Sequence, residues 1–186
     1  MRIRLAFIAA LSIAANALGQ GRIGFWNIGA SPEQKVYIDE WLNPSALAPG
    51  GAQFLVALYF GPPGADESAL TQLGGTGGFS FPGVFFGGTR TVPDYVGVFQ
   101  VKGWEAAFGS TYEEAKANPA ARVGQSPVFT AYASFPTEPA YSLIEHSQGE
   151  FRGFVIAVPE PSSGMLLFAG IVTSALVFRR KLFGRE

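Results

Sequence analysis

Between residues 20 and 157 the apolar positions fall in short runs broken by glycine and proline, and alternation with period two outnumbers helical spacing. Ile23, Phe25 and Asn27 alternate with Gly24, Trp26 and Ile28, and Val36 and Ile38 alternate with Lys35, Tyr37 and Asp39, so each stretch predicts a half-buried strand. The unbroken apolar run from Phe54 to Phe60, ended by Gly61-Pro62-Pro63-Gly64, predicts a central strand covered on both faces. Val96 to Trp104 predicts a second long strand, and Pro127 to Ala133 and Phe151 to Ala157 two more. Phe79 to Phe86 and Thr89 to Val92 are shorter pieces divided by glycine pairs, with Phe79, Phe81, Phe85 and Phe86 expected to plug the core. A single helix is predicted over Thr111 to Ala117: Ser110 or Thr111 is placed to cap it, Glu113 and Glu114 sit in its first turn, and Asn118-Pro119 stops it. Many short strands with Gly/Pro turns and no alternating helices point to an all-β domain, an antiparallel β-sandwich of Ig-like or jelly-roll-like type.

The two ends follow other rules. Arg2 and Arg4 precede an uncharged apolar run from Leu5 to Leu18, with small residues at Ala15, Ala17 and Gly19, the order of a secretory signal helix cleaved after Ala17 or Gly19. At the other end, the 18 residues from Pro161 to Phe178 carry no charge. As a helix they would reach roughly 27 Å, close to the ~30 Å of a hydrocarbon core. Arg179, Arg180 and Lys181 follow at once, which predicts a single C-terminal transmembrane helix with a cytoplasmic basic tail and everything before it on the far side.

The tripeptide Pro159-Glu160-Pro161, one apolar helix and a terminal basic cluster together resemble the PEP-CTERM sorting signal of biofilm-forming Gram-negative bacteria. The resemblance implies an exosortase as the processing partner. It also implies Pro159, Glu160 and Pro161 as the sorting motif, Met165 to Phe178 as membrane retention, and Arg179, Arg180 and Lys181 as stop-transfer charges. The tail Leu182 to Glu186 extends beyond that pattern. The chain thus divides into a signal peptide at 1–19, an ectodomain at 20–157 and a sorting signal at 158–186. Within the ectodomain, Leu58-Tyr59-Phe60-Gly61-Pro62, Gly87 to Pro93, Val101 to Gly109 with Thr111 to Ala115, and Ser126 to Phe129 are similar to a recurring small ectodomain of PEP-CTERM proteins. That second resemblance implies a shared fold and carries over no catalytic residue.

Composition narrows the chemistry. Apolar residues are 48% and charged residues 15% of the 186, and the formal net charge is −1. This balance conceals an ectodomain with 7 basic and 12 acidic residues between two basic ends. An acidic domain without a basic patch argues against nucleic acid as partner. The absence of Cys and the single His exclude thiol nucleophiles, disulfides and zinc fingers. Gly74 to Gly88 lacks the Gly-Lys-Ser/Thr ending of a phosphate loop. The carboxylate pairs Asp39-Glu40, Asp66-Glu67 and Glu113-Glu114 cannot each form a dyad, because neighbours on a strand point to opposite faces, although a dyad drawn from two pairs stays open. Carboxylates for a Ca²⁺ site exist, without an Asp-x-Asp-x-Asp-Gly loop to arrange them. His146, beside Ser142 and Glu150, lacks a Gly-x-Ser-x-Gly partner motif and reads as a polar loop residue. Trp26, Trp41 and Trp104 are the candidates for stacking on sugar rings. No metal or cofactor is expected. The expectation is an exported, membrane-anchored and then processed protein of the cell envelope or extracellular matrix, non-enzymatic and structural or adhesive, with exopolysaccharide as a possible partner. The alternative is a polysaccharide-binding module or polysaccharide-active enzyme using the same export route.

Overall fold

Strands account for most of the computed structural model, which describes residues 20–40, 43–145 and 151–158. The elements in chain order are β1 (Gly21–Trp26), β2 (Tyr37–Glu40), β3 (Asn43–Leu47), β4 (Gly51–Gly61), β5 (Thr71–Gln72), β6 (Gly77–Phe81), β7 (Val84–Val92), β8 (Val96–Glu105), the helix α1 (Tyr112–Lys116), β9 (Val123–Gln125), β10 (Phe129–Tyr132), β11 (Tyr141–Ser142) and β12 (Val155–Ile156). Short 3-10 turns at Pro32–Gln34, Glu67–Ala69 and Ala106–Phe108 join some of them. The two long strands foreseen at Phe54–Phe60 and Val96–Trp104 are β4 and β8, paired antiparallel over their length from Phe54↔Glu105 to Gly61↔Val98.

Nine strands share one sheet, ordered β10-β8-β4-β6-β7-β1-β11, with β5 beside β4 and β9 beside β8. Arg22 in β1 also exchanges both backbone hydrogen bonds with Ser134, just beyond β10, at 3.0 and 2.9 Å, so the segment leaving β10 lies alongside β1. A three-stranded sheet, β12-β2-β3, caps the arrangement. Pairing is not antiparallel throughout, as the alternation alone suggested. The strands β1 and β11, and β12 and β2, run parallel, because β11 and β12 return over long connections rather than through hairpins.

The inner faces of both sheets enclose one apolar core. Phe54, Val56, Leu58 and Phe60 of β4 meet Phe25, Phe85, Phe99 and Phe129, with Phe151 and Ile156 from the C-terminal segment filling the remainder. Phe85 and Phe129 both meet the Phe151 ring edge-on, at 5.8 and 5.7 Å between centroids. Of the four phenylalanines expected as plugs, Phe79 and Phe85 are buried, whereas Phe81 and Phe86 are 66% and 48% exposed. β6 and β7 form a hairpin around the tight turn at Pro82-Gly83; Phe85 and Phe86 are neighbours on β7 and so face opposite sides, while the register shift between Phe79 and Phe81 leaves Phe81, beside the turn, facing outward.

The last segment is locked in place. Val155 and Ile156 pair with β2, and Ala157 exchanges two backbone bonds with Val123 at 2.9 and 3.1 Å. A side chain at Gly153 would collide with the Lys35 carbonyl oxygen and one at Gly124 with that of Val155, so both glycines are required by close backbone approach. The expected signal peptide and transmembrane helix lie outside the described residues. Among the described residues no helix is long and apolar enough to cross a membrane.

Candidate functional site

A second face of the β4/β8 pair is also covered, and there the polar chemistry collects. Register places Tyr59 opposite Gln100, Ala57 opposite Lys102 and Leu55 opposite Trp104, with Gln125 of β9 on the far side of Lys102. Residues two apart on a strand share a face, so Gln100, Lys102 and Trp104 all point away from the main core. The 3-10 turn at Glu67–Ala69 and α1 pack over them, giving a smaller cluster of Ala57, Tyr59, Leu70, Val98, Trp104, Tyr112, Ala115 and Ala121. The helix forms where foreseen: the Thr111 hydroxyl accepts from the Glu114 amide, and the Glu114 carboxylate reaches back to the Thr111 amide.

Lys102 sits at the centre of this layer. Its ammonium lies 4.0 Å from the Tyr59 ring centroid and 5.1 Å from that of Tyr112. It also approaches Glu113 Oε1 at 3.9 Å; the lysine side chain is 13% exposed and the glutamate 61%, so the cation is the buried partner. Burial lowers the Lys102 pKa below the usual lysine value, with Glu113 opposing the shift. The Tyr59 hydroxyl donates to Glu113 at 2.8 Å. Burial first, then that bond, push its pKa up, so the phenol stays protonated as a donor.

Glu67 is held from below. Its Oε1 accepts from the side-chain amides of Gln100 at 3.0 Å and Gln125 at 2.6 Å. The Gln100 bond leads in lowering its pKa, aided by Gln125, Lys102 and Lys116. Gln100 donates as well to the Ser126 carbonyl at 3.0 Å, which fixes its amide and leaves its own Oε1 buried without a partner among the described residues. Asp66, Glu67, Ser68, Lys102, Lys116 and Gln125 line an open depression of about 500 Å³ above this network. One carboxylate from each of two sequence pairs, Glu67 and Glu113, thus lies near one lysine. A general acid requires a raised carboxyl pKa, and Glu67 is shifted the other way.

The tryptophans separate. Trp104 is fully buried, donates its indole Nε1–H to the Gly109 carbonyl at 3.0 Å and meets Tyr112 edge-on; its place under α1 leaves no ring face for a sugar, which removes it from the stacking candidates. Trp26 is half-buried, packs across Gly24 and stacks on exposed Phe86 with centroids 5.6 Å apart. Trp41, His146 and the sorting residues Pro159, Glu160, Pro161, Arg179, Arg180 and Lys181 lie outside the described residues. Ser142, noted beside His146, is buried in β11. Among the described residues no group of His, Cys, Asp and Glu is arranged to hold a metal ion. Sequence reasoning missed Tyr59, Gln100, Lys102 and Gln125; the available signal was two polar residues, two apart, inside the otherwise apolar Val96–Trp104 strand.

The described fold ends where the sorting signal starts. Ala157 is bridged to Val123, Val158 is 46% exposed, and the next residue is Pro159. A family model described as the PEP-CTERM protein-sorting motif matches residues 157–181, so the match begins on a residue that is itself paired in the fold. No curated protein and no solved structure gives a significant match to the chain. The chain thus carries a PEP-CTERM protein-sorting motif directly after a β-rich domain, and that motif implies export, sorting to the envelope and an exosortase as the processing partner.

Proposed function

We propose that this protein is a non-enzymatic structural or adhesive component of the cell envelope or extracellular matrix. In this reading residues 1–19 are a cleaved signal peptide, 20–157 a β-sandwich ectodomain, and 158–186 a transmembrane sorting tail that the exosortase removes. The observation that carries it is the sorting-motif match over residues 157–181. The apolar length of Pro161–Phe178 and the charges at Arg179, Arg180 and Lys181 support the membrane stage. The nine-stranded and three-stranded sheets, sharing one core, support the sandwich.

A reporter with an N-terminal export signal, fused to residues 158–186, tests the tail alone. In a host with an active exosortase, the fusion should pass through the membrane fraction and be released shortened. Neutral residues in place of Arg179, Arg180 and Lys181 should abolish that delivery, because each charge costs about 2.5–3.5 kcal/mol to move to the bilayer centre and together they set the helix register. Unchanged delivery of the neutral tail would remove the basic cluster from the sorting signal.

A second reading, a polysaccharide-binding module on the same route, is favoured by the depression around Lys102, with its lining of mixed charge and polar side chains.

A further inference from the structure

We propose that the depression over Lys102 binds a neutral saccharide unit through its hydroxyl groups, a proposal that gives the second reading a site and a ligand chemistry. The walls come from four separated segments. Asp66, Glu67 and Ser68 stand on one 3-10 turn and its cap, Lys102 on β8, Lys116 at the end of α1 and Gln125 on β9. The site is built before any ligand arrives. Amides of Gln100 and Gln125 clamp Glu67 Oε1, while Tyr59, Tyr112 and Glu113 fix the position of the Lys102 ammonium.

The clamped groups keep hydrogen-bonding capacity to spare. Both amide bonds fall on Oε1 of Glu67, and Oε2 has no hydrogen-bond partner among the described residues. Lys102 is held by an ion pair and two ring faces, none of which is a short hydrogen bond to its ammonium. An ammonium carries three donors and a carboxylate about four acceptor positions. A group that donates and accepts at one atom, a hydroxyl, can bridge the two.

Charge decides between ligand classes. The lining holds two lysines and two carboxylates, with Glu113 behind them. An anion would gain the lysines and meet three carboxylates; a metal ion would meet two ammonium groups. An uncharged polyol satisfies donors and acceptors together without leaving either charge unpaired. A depression of about 500 Å³ is within the roughly 300–1,000 Å³ usual for small-ligand sites, enough for one or two sugar rings.

The test uses the full chain in lauryldimethylamine oxide micelles, a detergent without sugar. Saturation-transfer NMR is run with neutral oligosaccharides (cellotriose, maltotriose, chitotriose), a galacturonate trisaccharide and triglycine. Glu67→Gln, Lys102→Met and Trp26→Ala are compared with the parent, with circular dichroism as the fold control. The expected result is binding of at least one neutral trisaccharide, weakened tenfold or more in both Glu67→Gln and Lys102→Met and kept in Trp26→Ala. Glu67→Gln preserves shape and reports on the site even where Lys102→Met loses the fold. Preference for galacturonate or triglycine, no sugar binding by folded parent protein, or loss confined to Trp26→Ala would each overturn the proposal. Fractionation of cells expressing the same variants separates the questions, since sorting should be normal in all of them whether or not sugar binds.

Discussion

Replacing Trp104 by alanine should be among the most damaging truncations in the ectodomain. The side chain has no solvent exposure and lies under Tyr112, Ala115 and Ala121 on the outer face of β8. A buried tryptophan removes about 150–250 Å² from water. At about 25 cal/mol per Å² that is about 4–6 kcal/mol, of which alanine keeps about 1. The edge-on contact with Tyr112 adds about 1 kcal/mol, and the bond from Nε1 to Gly109 about 1 more. Partial collapse of α1 into the space offsets part of this, and truncations of buried Phe and Trp generally cost about 3–5 kcal/mol. We take about 4. For a segment of about 140 residues, with an unfolding entropy of about 2.1 cal/mol/K per residue, the midpoint should fall by about 14 °C. Thermal and urea unfolding of segment 20–158, followed by far-UV circular dichroism because other tryptophans confuse fluorescence, gives the number. Trp104→Phe, which retains a ring but not the Nε1–H, should lose about 1–2 kcal/mol. A Trp104→Ala protein within about 1 kcal/mol of its parent would mean that the outer face of β8 is not packed as described.

Three further outcomes follow from the same structure. Thr111→Ala breaks the capping box with Glu114 and should cost about 1 kcal/mol by urea unfolding, whereas Ser110→Ala should cost less. Gly153→Ala drives a methyl group into the Lys35 carbonyl; β12 should detach from β2, read as lost amide protection at Val155 and Ile156, and a fully protected variant would show that the segment is not clamped. Glu67 titrates below its ordinary 4.5 through the Gln100 and Gln125 bonds, so in the folded state it keeps its charge to lower pH than in the unfolded one. Its contribution is present above pH 4.5 and is lost as pH falls through the lowered folded value. Glu67→Gln should therefore flatten the acid limb of a stability–pH curve, and a curve parallel to the parent's would contradict the assigned bonds.

The parts legible in the sequence were those governed by local pattern. The run Phe54–Phe60 announces a doubly covered strand because both faces of β4 meet apolar layers, one around Phe54, Val56, Leu58 and Phe60 and the other around Ala57 and Tyr59. Thr111 and Glu114 announce the helix because a capping box is a spacing of three. The short strands β3, β5, β9 and β11 carry no such signal. Their 2–5 residues are strands only because a partner lies alongside. The depression was invisible for a related reason: Glu67 and Gln125 are 58 positions apart, and the neighbouring places of β4, β8 and β9 in the sheet bring them together. Even Phe81 and Phe86, apolar by composition, face outward, Phe81 because the register of the hairpin shifts after Phe79 and Phe86 because it alternates with buried Phe85.

The central claim is that the C-terminal segment is a sorting signal read and removed after export. Intact-mass analysis of the protein extracted from the surface or medium of cells with an active exosortase measures this directly. The chain should begin near Gln20 and end after Ala157 but before the basic cluster at Arg179, with β12 retained because its pairing with β2 and the Ala157 bridge to Val123 belong to the folded domain. Surface protein still ending at Glu186 would contradict the account.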